Sequence, residues 1–230
     1  MKRISFRISS SEIASVEEYP VPSSTVLPEW FKDVPTQSHR DARVLGSRIA
    51  LNMKSCVPFL DSLTSGYIKR LSTDVIIRNR DGVIEYYYPG HPVMADREET
   101  HLPRINGFIH HEFIWNTYVW PKTPPGYSCI ITHPFNRYDL PFITMTGIVD
   151  TDRFGALDGG GNLPFMLREG FDGIIPAGTP IYQIIPLKRD EWEHDTGVTP
   201  QEQAEDIRAK LRRHFSGAYK RYFWTRKTYR

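Results

Sequence analysis

The sequence has little cysteine, almost no net charge and no long apolar run. Only two of its 230 residues are cysteines, Cys56 and Cys129, which is too few for a disulfide framework or a four-thiolate metal site. The net charge of +2 gives no argument for a nucleic-acid or membrane partner. No stretch approaches the ~20 apolar residues of a membrane span, and the first residues do not resemble a signal peptide. These absences predict a cytoplasmic protein with no membrane partner.

The N-terminal region is rich in proline and in aromatic residues. Apolar and polar residues alternate over residues 4–8, which predicts a half-buried strand. Four prolines then interrupt the segment 17–35, next to Trp30 and Phe31, so long regular elements are not expected there. Since a solvated linker rarely needs adjacent aromatic residues, residues 1–46 are predicted to form a strand and an extended arm over a core or a neighbouring subunit.

The middle of the chain has the composition of short β-strands. In the segment TDVIIRNRDGVIEYYY, β-branched and aromatic residues flank Asp81-Gly82, a pair that favours a tight hairpin turn. Similar runs, separated by glycine and proline, continue to residue 188. Roughly ten strands at this spacing predict a mainly β fold, a sandwich or barrel, over residues 47–190.

The C-terminal region, residues 191–230, has a different pattern. Thr199-Pro200-Gln201-Glu202 combines a capping residue, a first-turn proline and a capping-box acid. Apolar residues then recur at helical spacing, which predicts an amphipathic helix from about 200 to 216. Residues 217–230 interleave basic and aromatic side chains, an arrangement that suits contact with nucleic acid, with a neighbouring protein or with the chain's own sheet.

Asp150 and Asp152 form the pattern most suggestive of chemistry. They follow an apolar run, and a carboxylate at the end of a buried strand can orient and deprotonate a water. The alternative is that both aspartates cap a turn before the glycine-rich residues 155–162, which are predicted to be a loop. That stretch lacks the phosphate-binding loop pattern, so no cofactor is predicted.

Histidines offer a second, weaker pattern. His110, His111 and Glu112 are adjacent, and His133 follows further along the chain. On a strand His110 and Glu112 would share one face, while His111 would point to the other. No second cluster accompanies them, so packed or solvated side chains explain them better than a metal site does, and no metal is predicted.

Four segments, in order along the chain, resemble motifs of the trimeric dUTPases and the related dCTP deaminases. They are Ser65-Gly66-Tyr67 with Thr73-Asp-Val-Ile, Pro125-Gly126-Tyr127, GIVDTDRFG from Gly147 to Gly155, and IPAGTPIYQII from Ile175 to Ile185. The resemblance covers about residues 65–188. It implies a β-clip jelly-roll barrel, with an N-terminal proline-aromatic arm and a C-terminal amphipathic helix added in this chain. It also implies a homotrimer with nucleotide pockets between subunits.

The same resemblance implies roles for individual residues. Asp150 would be the catalytic residue that holds the attacking water, and Phe154 would stand where the family's tyrosine packs against the deoxyribose. Gln183 would be the structural glutamine of the last motif. The residues expected at the ligand are Arg137, Asp152, Arg153, Phe154 and Gln183.

The chain departs from these families where they bind phosphate. Their Arg-Ser-Gly motif should fall near residues 133–137, where this chain has His-Pro-Phe-Asn-Arg. The C-terminal glycine-rich loop is replaced by the helix and tail, and no glutamate stands on residues 162–167, where the deaminases have theirs. Because such donors stabilise charge in the transition state, the sequence predicts binding of a nucleotide or related small anion without standard dUTP hydrolysis.

The whole chain is also similar to a family of bacteria and tailed phages that has no assigned activity. The shared segments are PEWF, CVPFLDSLTSGY, TPPGYS, NRYDLPF, GIVDTD and IIPAGTPIYQIIP. Two alternatives therefore stay open. One is a structural or assembly protein, such as a phage virion component, with contacts to other subunits through residues 20–35 and 217–230. The other is an enzyme with a rebuilt pocket, in which Asp150 is the base and His133 its partner. Under each alternative the expected location of the protein is the cytoplasm, or a host's cytoplasm or a virion if it is phage-encoded.

Overall fold

The computed structural model describes residues 2–8, 10–39, 49–97, 102–154, 161–214 and 217–230. The chain forms two compact units. The first consists of Met1–Val26 and Gly66–Arg189, and the second of Leu27–Ser65 and Asp190–Arg230. These boundaries differ from the division into 1–46, 47–190 and 191–230 expected from the sequence, because part of the N-terminal region belongs to the strand-rich unit. Most of the predicted loop 155–162 lies outside the described residues, and Gly161 begins a strand.

Sixteen strands and five α-helices occur among the described residues. The strands are β1 (Ser5–Ile8), β2 (Val21–Pro22), β3 (Gln37–His39), β4 (Ile49–Leu51), β5 (Tyr67–Arg70), β6 (Val75–Arg80), β7 (Val83–Tyr87), β8 (Met94–Asp96), β9 (Phe113–Thr117), β10 (Val119–Lys122), β11 (Tyr127–Thr132), β12 (Phe142–Thr144), β13 (Gly147–Val149), β14 (Gly161–Leu167), β15 (Gly173–Ile175) and β16 (Pro180–Lys188). The helices are α1 (Ser11–Ala14), α2 (Glu29–Asp33), α3 (Val57–Thr64), α4 (Gln201–Arg212) and α5 (Ala218–Tyr222). The predicted mainly β class is confirmed.

The described residues of the first unit form four antiparallel sheets and the short helix α1. Its largest sheet has the strand order β13-β11-β16-β5-β2, and a second has the order β12-β14-β9-β8. A three-stranded sheet, β15-β6-β7, and the two-stranded ribbon β1-β10 complete the unit. β11 and β16 are paired over six residues, from Tyr127 opposite Lys188 to Thr132 opposite Gln183. This register determines which polar side chains meet at each end of β11.

The hairpin predicted around Asp81-Gly82 is confirmed. β6 and β7 pair from Ile76 opposite Tyr87 to Arg80 opposite Val83. Both turn residues have positive φ, 52° at Asp81 and 88° at Gly82, as a primed two-residue turn requires. The strand predicted at residues 4–8 also forms, as β1.

Aromatic side chains fill the core of the first unit. Trp115 of β9 stacks on Phe165 of β14 at a centroid distance of 3.7 Å, and Phe113 and Phe142 pack around them. The indole N–H of Trp115 donates to Thr144 Oγ1 at 3.1 Å, so the ring buries no unpaired donor.

Glycine is required at position 66, in the Ser65-Gly66-Tyr67 segment that resembles a dUTPase motif. Gly66 has a φ of +69°, and a Cβ atom there would lie 2.0 Å from the carbonyl oxygen of Ile184. Only a residue without a side chain allows β5 to approach β16 this closely.

A buried ion pair joins the N-terminal segment to the main sheet. The side chains of Glu17 and Lys69 are almost fully buried and form a salt bridge. Glu17 Oε2 also lies 2.9 Å from Nε2 of His91. Burial lowers the pKa of Lys69, and the charge of Glu17 opposes that shift. Residues just before the predicted contact segment 20–35 are therefore fixed within their own unit.

The second unit contains the aromatic residues that the sequence assigns to an arm. Phe31 of α2 is buried and stacks on Phe59 of α3 at 5.9 Å. In the C-terminal tail, Trp224 Nε1 donates to Asp61 Oδ2 at 2.9 Å, and Lys227 Nζ donates to the same oxygen at 2.6 Å. Both segments therefore make contacts inside this unit.

The predicted C-terminal helix is present but begins differently. α4 spans Gln201–Arg212, its N-cap is Pro200, and no side chain caps it, so the expected Thr199 cap does not form. None of its residues is buried. Among the described residues, no helix combines the length and the apolar character needed to cross a membrane.

Candidate functional site

The predicted aspartates lie on the turn that follows β13. The backbone N–H groups of Arg153 and Phe154 donate to the carbonyl oxygen of Asp150 at 2.9 and 2.8 Å. This tight turn places Asp150, Asp152, Arg153 and Phe154 within five consecutive residues at one end of the main sheet. Four of the six predicted site residues are therefore together.

An arginine that the sequence does not predict joins the two aspartates. Arg189 follows β16 directly, and its Nη1 lies 3.1 Å from Asp150 Oδ1 and 2.9 Å from Asp152 Oδ1. Its Nη2 donates to Asp152 Oδ2. Ser128 completes the group, since its hydroxyl donates to Asp150 Oδ1 at 2.6 Å. We call Ser128, Asp150, Asp152 and Arg189 the carboxylate cluster.

The two carboxylates of this cluster have different surroundings. The side chain of Asp152 is only 6% exposed, and its Oδ2 also accepts from the backbone N–H of Gly126 at 2.9 Å. Gly126 belongs to the Pro125-Gly126-Tyr127 segment that resembles a dUTPase motif, and its φ of +82° favours glycine. The hydrogen bond from Arg189, with that from Gly126, holds the pKa of Asp152 well below its usual range. Asp152 therefore acts as a fixed anion within the turn.

Asp150 keeps an accessible face. Its side chain is 56% exposed although Ser128 and Arg189 both contact Oδ1. No described residue donates to Oδ2. A carboxylate that is oriented on one side and open on the other can bind a water or a ligand donor.

Arg153 and Phe154 extend this surface. The side chain of Arg153 is exposed. The ring of Phe154 is 42% exposed and packs edge to face on Trp120 of β10, with centroids 5.2 Å apart. An aromatic ring supported from behind offers a flat surface to a ligand.

Arg137 and Gln183 lie elsewhere, Arg137 in the loop after β11 and Gln183 on β16 beside that loop. Gln183 is buried on β16 opposite Thr132, and its Oε1 accepts from the backbone N–H of Phe135 at 2.9 Å. The guanidinium of Arg137 binds both carboxylate oxygens of Asp139, at 2.8 to 3.2 Å. Gln183 thus supports the loop, and the charge of Arg137 is already paired within it.

His133 occupies the same loop. Its Nε2 donates to the carbonyl oxygen of Arg137 at 3.0 Å, and its Nδ1 accepts from the backbone N–H of Thr144 at 3.3 Å. Burial lowers the pKa of His133, which favours the neutral ring that these two bonds require. Both ring nitrogens serve the backbone, so within one chain His133 does not contact Asp150.

The two groups of predicted residues lie at opposite ends of β11. Ser128 is in the carboxylate cluster, and His133, five residues along, begins the other loop. At 3.4 Å per residue the strand separates them by about 17 Å. Asp150 and Arg137 of one chain therefore do not meet across a single small ligand.

A small cavity lies behind β13. It measures about 70 Å³, and its lining includes Val149, Leu163, Trp120 and Tyr182. The indole N–H of Trp120 and the hydroxyl of Tyr182 are buried without a hydrogen-bond partner among the described residues. The volume suits about two water molecules and is below the ~300 Å³ of ordinary ligand pockets. The candidate site is therefore the open surface around Asp150.

The histidines considered as metal ligands are dispersed. His111 Nε2 lies 3.1 Å from Asp96, and His110 Nε2 lies 3.1 Å from the carbonyl oxygen of Leu102. Within the described ranges, no three His, Cys, Asp or Glu side chains come together as a metal site would need.

Comparison of the chain with models of protein families gave no match, and neither did comparison with curated proteins.

Proposed function

We propose that this protein binds a nucleotide or a related phosphate-bearing anion at the turn around Asp150, in a dUTPase-like pocket shared between the subunits of a homotrimer. The observation that carries the proposal is the exposed carboxylate of Asp150, oriented by Ser128 and Arg189. Phe154 adds a flat apolar surface beside it. The order of the four motif-like segments and the mainly antiparallel strands support a barrel of the β-clip type.

The positions of the predicted residues favour a pocket with contributions from two chains. Asp150 is bound at the Ser128 end of β11, and the loop of Arg137 begins at His133, about 17 Å away along the strand. A cyclic trimer brings one end of each subunit next to a different surface of its neighbour. In such an assembly the loop of Arg137 from one chain can complete the surface around Asp150 of another.

Binding without standard dUTP hydrolysis follows from the side chains at residues 133–137, where the dUTPases bind the phosphate chain. The chain lacks the serine motif and the C-terminal glycine-rich loop of the dUTPases. Arg137, the arginine of that segment, is bound bidentately by Asp139, and the nearby guanidinium of Arg168 donates to the carbonyl oxygens of Leu140 and Tyr138. Few donors therefore remain there to stabilise charge that develops on a phosphate chain.

The proposal is tested by thermal unfolding in the presence of deoxynucleotides, ribonucleotides, cyclic nucleotides and inorganic phosphate. A ligand present at about 100 times its dissociation constant stabilises the folded state by ~2.7 kcal/mol. We expect a selective rise of several degrees with one nucleotide class. A flat profile across all compounds would contradict the proposal.

Asp150→Asn is the variant that connects the ligand to the site. It keeps the shape of the side chain and removes its charge, so the nucleotide-dependent rise should disappear or shrink. Asp172→Asn is a matched control, because Asp172 also pairs with an arginine, Arg78, but on the three-stranded sheet. Equal rises for the wild type and Asp150→Asn would place the ligand elsewhere.

Mixed subunits test the shared pocket. Asp150→Asn and Arg137→Ala are purified separately, then unfolded together and refolded. If each pocket takes Asp150 from one chain and Arg137 from another, about one quarter of the pockets in random trimers have both native groups. A pocket within one chain predicts no recovery of binding beyond that of the separate variants.

One observation favours a second function, that of an assembly protein such as a virion component. Several large apolar side chains of the second unit are open to solvent, among them Trp192 at 87% and Val198 at 97% exposure, and Ile207 and Leu211 of α4. Such residues suit burial against another protein subunit. The aromatic residues of 20–35 and 217–230 pack in part within the chain, so residues 190–213 are the better contact candidates. A flat nucleotide profile together with a large, Trp192-dependent assembly would support this function over the first.

A further inference from the structure

The ribbon formed by β1 and β10 has a second charged surface, separate from the carboxylate cluster. An open groove of about 490 Å³ runs along it, lined by residues 3–7 and 122–124. Side chains alternate along a strand, so Ser5 and Arg7 of β1 project from the same face. Lys122 pairs with Ser5 across the ribbon and therefore projects from that face as well. Arg3 lies two residues before β1 and also lines the groove, which thus carries three cations.

These cations are not neutralised by neighbouring acids. Among the described residues, no carboxylate lies within ion-pair distance of Arg3, Arg7 or Lys122. The hydrogen bonds that two of them make go to carbonyl oxygens instead, from Arg7 to Phe6 at 3.3 Å and from Lys122 to Asp152 at 2.7 Å. A carbonyl oxygen holds a side chain in place but leaves its positive charge available to a ligand.

The spacing of the cations suits more than one phosphate. Arg3 and Arg7 are four residues apart, which corresponds to about 13 Å of extended chain. Lys122 stands opposite the midpoint between them, on the facing strand. Two long arginine side chains and one lysine can thus converge on a short chain of phosphates, with the arginines able to bind phosphate oxygens bidentately.

We infer that this groove binds the di- or triphosphate group of the ligand. The inference rests on the proposed function for the nature of that ligand. Lys122 connects the two surfaces, since its amine holds the backbone of Asp152 on the turn that presents Asp150. The volume of the groove is within the range of small-molecule sites. Cations on the N-terminal strand would then replace the phosphate donors missing from residues 133–137.

The test is calorimetric titration of the full chain with inorganic tripolyphosphate. Wild-type protein should bind it, and the double variant Arg3→Gln, Arg7→Gln should lose about tenfold or more in affinity, since each arginine contributes charge-assisted hydrogen bonds. Arg208→Gln, Arg212→Gln is the matched control, because it removes the same charge from exposed positions of α4. Equal losses in both double variants, or no loss in the first, would overturn the inference. Unfolding temperatures without ligand establish that both variants are folded.

Two further ligands separate this inference from the proposed function. If a nucleotide binds with the same affinity to wild type and to Arg3→Gln, Arg7→Gln, the groove inference fails while the proposed function stands. If tripolyphosphate binds through the two arginines and no nucleotide binds, the groove stands and the proposed function fails. Arginine-dependent binding of a single-stranded oligonucleotide without tripolyphosphate binding would overturn the inference in favour of a nucleic-acid surface.

Discussion

The two ends of β11 use similar polar side chains for different purposes. At the end of Thr132, Gln183 and His133 are largely removed from solvent and direct their polar atoms to backbone groups. At the end of Ser128, Asp150 and Arg189 interact through side chains and remain partly exposed. The first arrangement fixes the path of a loop, and the second leaves capacity for a ligand. Whether a polar cluster can bind a ligand thus depends on which of its atoms still have no hydrogen-bond partner, and less on which residue types it contains.

The largest effect on stability is expected at the buried end. Gln183→Leu replaces a buried amide and leaves the backbone N–H of the half-buried Phe135 without its acceptor, and should lower the free energy of unfolding by about 1–3 kcal/mol. Urea unfolding measures this change. Gln201→Leu, at an exposed position of α4 whose amide bonds to Glu205, should change it by less than about 0.5 kcal/mol. A near-neutral Gln183→Leu would remove the contrast between the two ends.

Removing Arg189 should alter the acid sensitivity of the protein. The folded pKa of Asp152 is depressed below its ordinary value of 3.8, so this group stabilises the fold at higher pH and loses that contribution as the pH falls below about that value. In Arg189→Met the depression is smaller. The variant should therefore be less stable at neutral pH but lose less stability between pH 5 and pH 2.5.

Thermal unfolding across that pH range measures the difference. Arg208→Met removes a charge from the exposed surface of α4 and should give a curve parallel to that of the wild type. A parallel curve for Arg189→Met as well would show that Arg189 does not hold the charge of Asp152.

The smallest effect on stability is expected for Asp150→Asn. The amide oxygen of asparagine can still accept from Ser128, and the side chain is mostly exposed, so the free energy of unfolding should change by about 0.5 kcal/mol or less. Any nucleotide-dependent stabilisation should nevertheless be lost. A stability loss as large as that of Gln183→Leu would make both ends of β11 structural and would remove Asp150 as a ligand group.

Local patterns predicted much of the fold. The Asp81-Gly82 hairpin and β1 depend on residues that are close in the sequence, and both are confirmed. The C-terminal helix is also present, although Pro200 replaces Thr199 at its start because the Thr199 side chain makes no capping bond. The sequence predicts this helix to be amphipathic, and Leu211 of its apolar positions is exposed in the structure.

The candidate site was predictable only in part. Asp150 and Asp152 stand out because they follow an apolar strand. Arg189 is 37 residues after Asp152 and belongs to no sequence motif that would mark it as a site residue. Its place in the cluster depends on the register of β16 against β11, which pairs Tyr127 with Lys188. Long-range register is not encoded in local spacing. For the same reason the sequence did not show that Arg137 and Asp150 lie at opposite ends of one strand.

The proposed pocket is built from more than one chain, and the mass of the wild-type protein in solution tests this most directly. Sedimentation equilibrium should give about three times the chain mass of 26.7 kDa across a range of protein concentrations. A stable particle with the mass of a single chain would contradict a shared pocket, because Asp150 and the loop of Arg137 would then have no second subunit through which to meet.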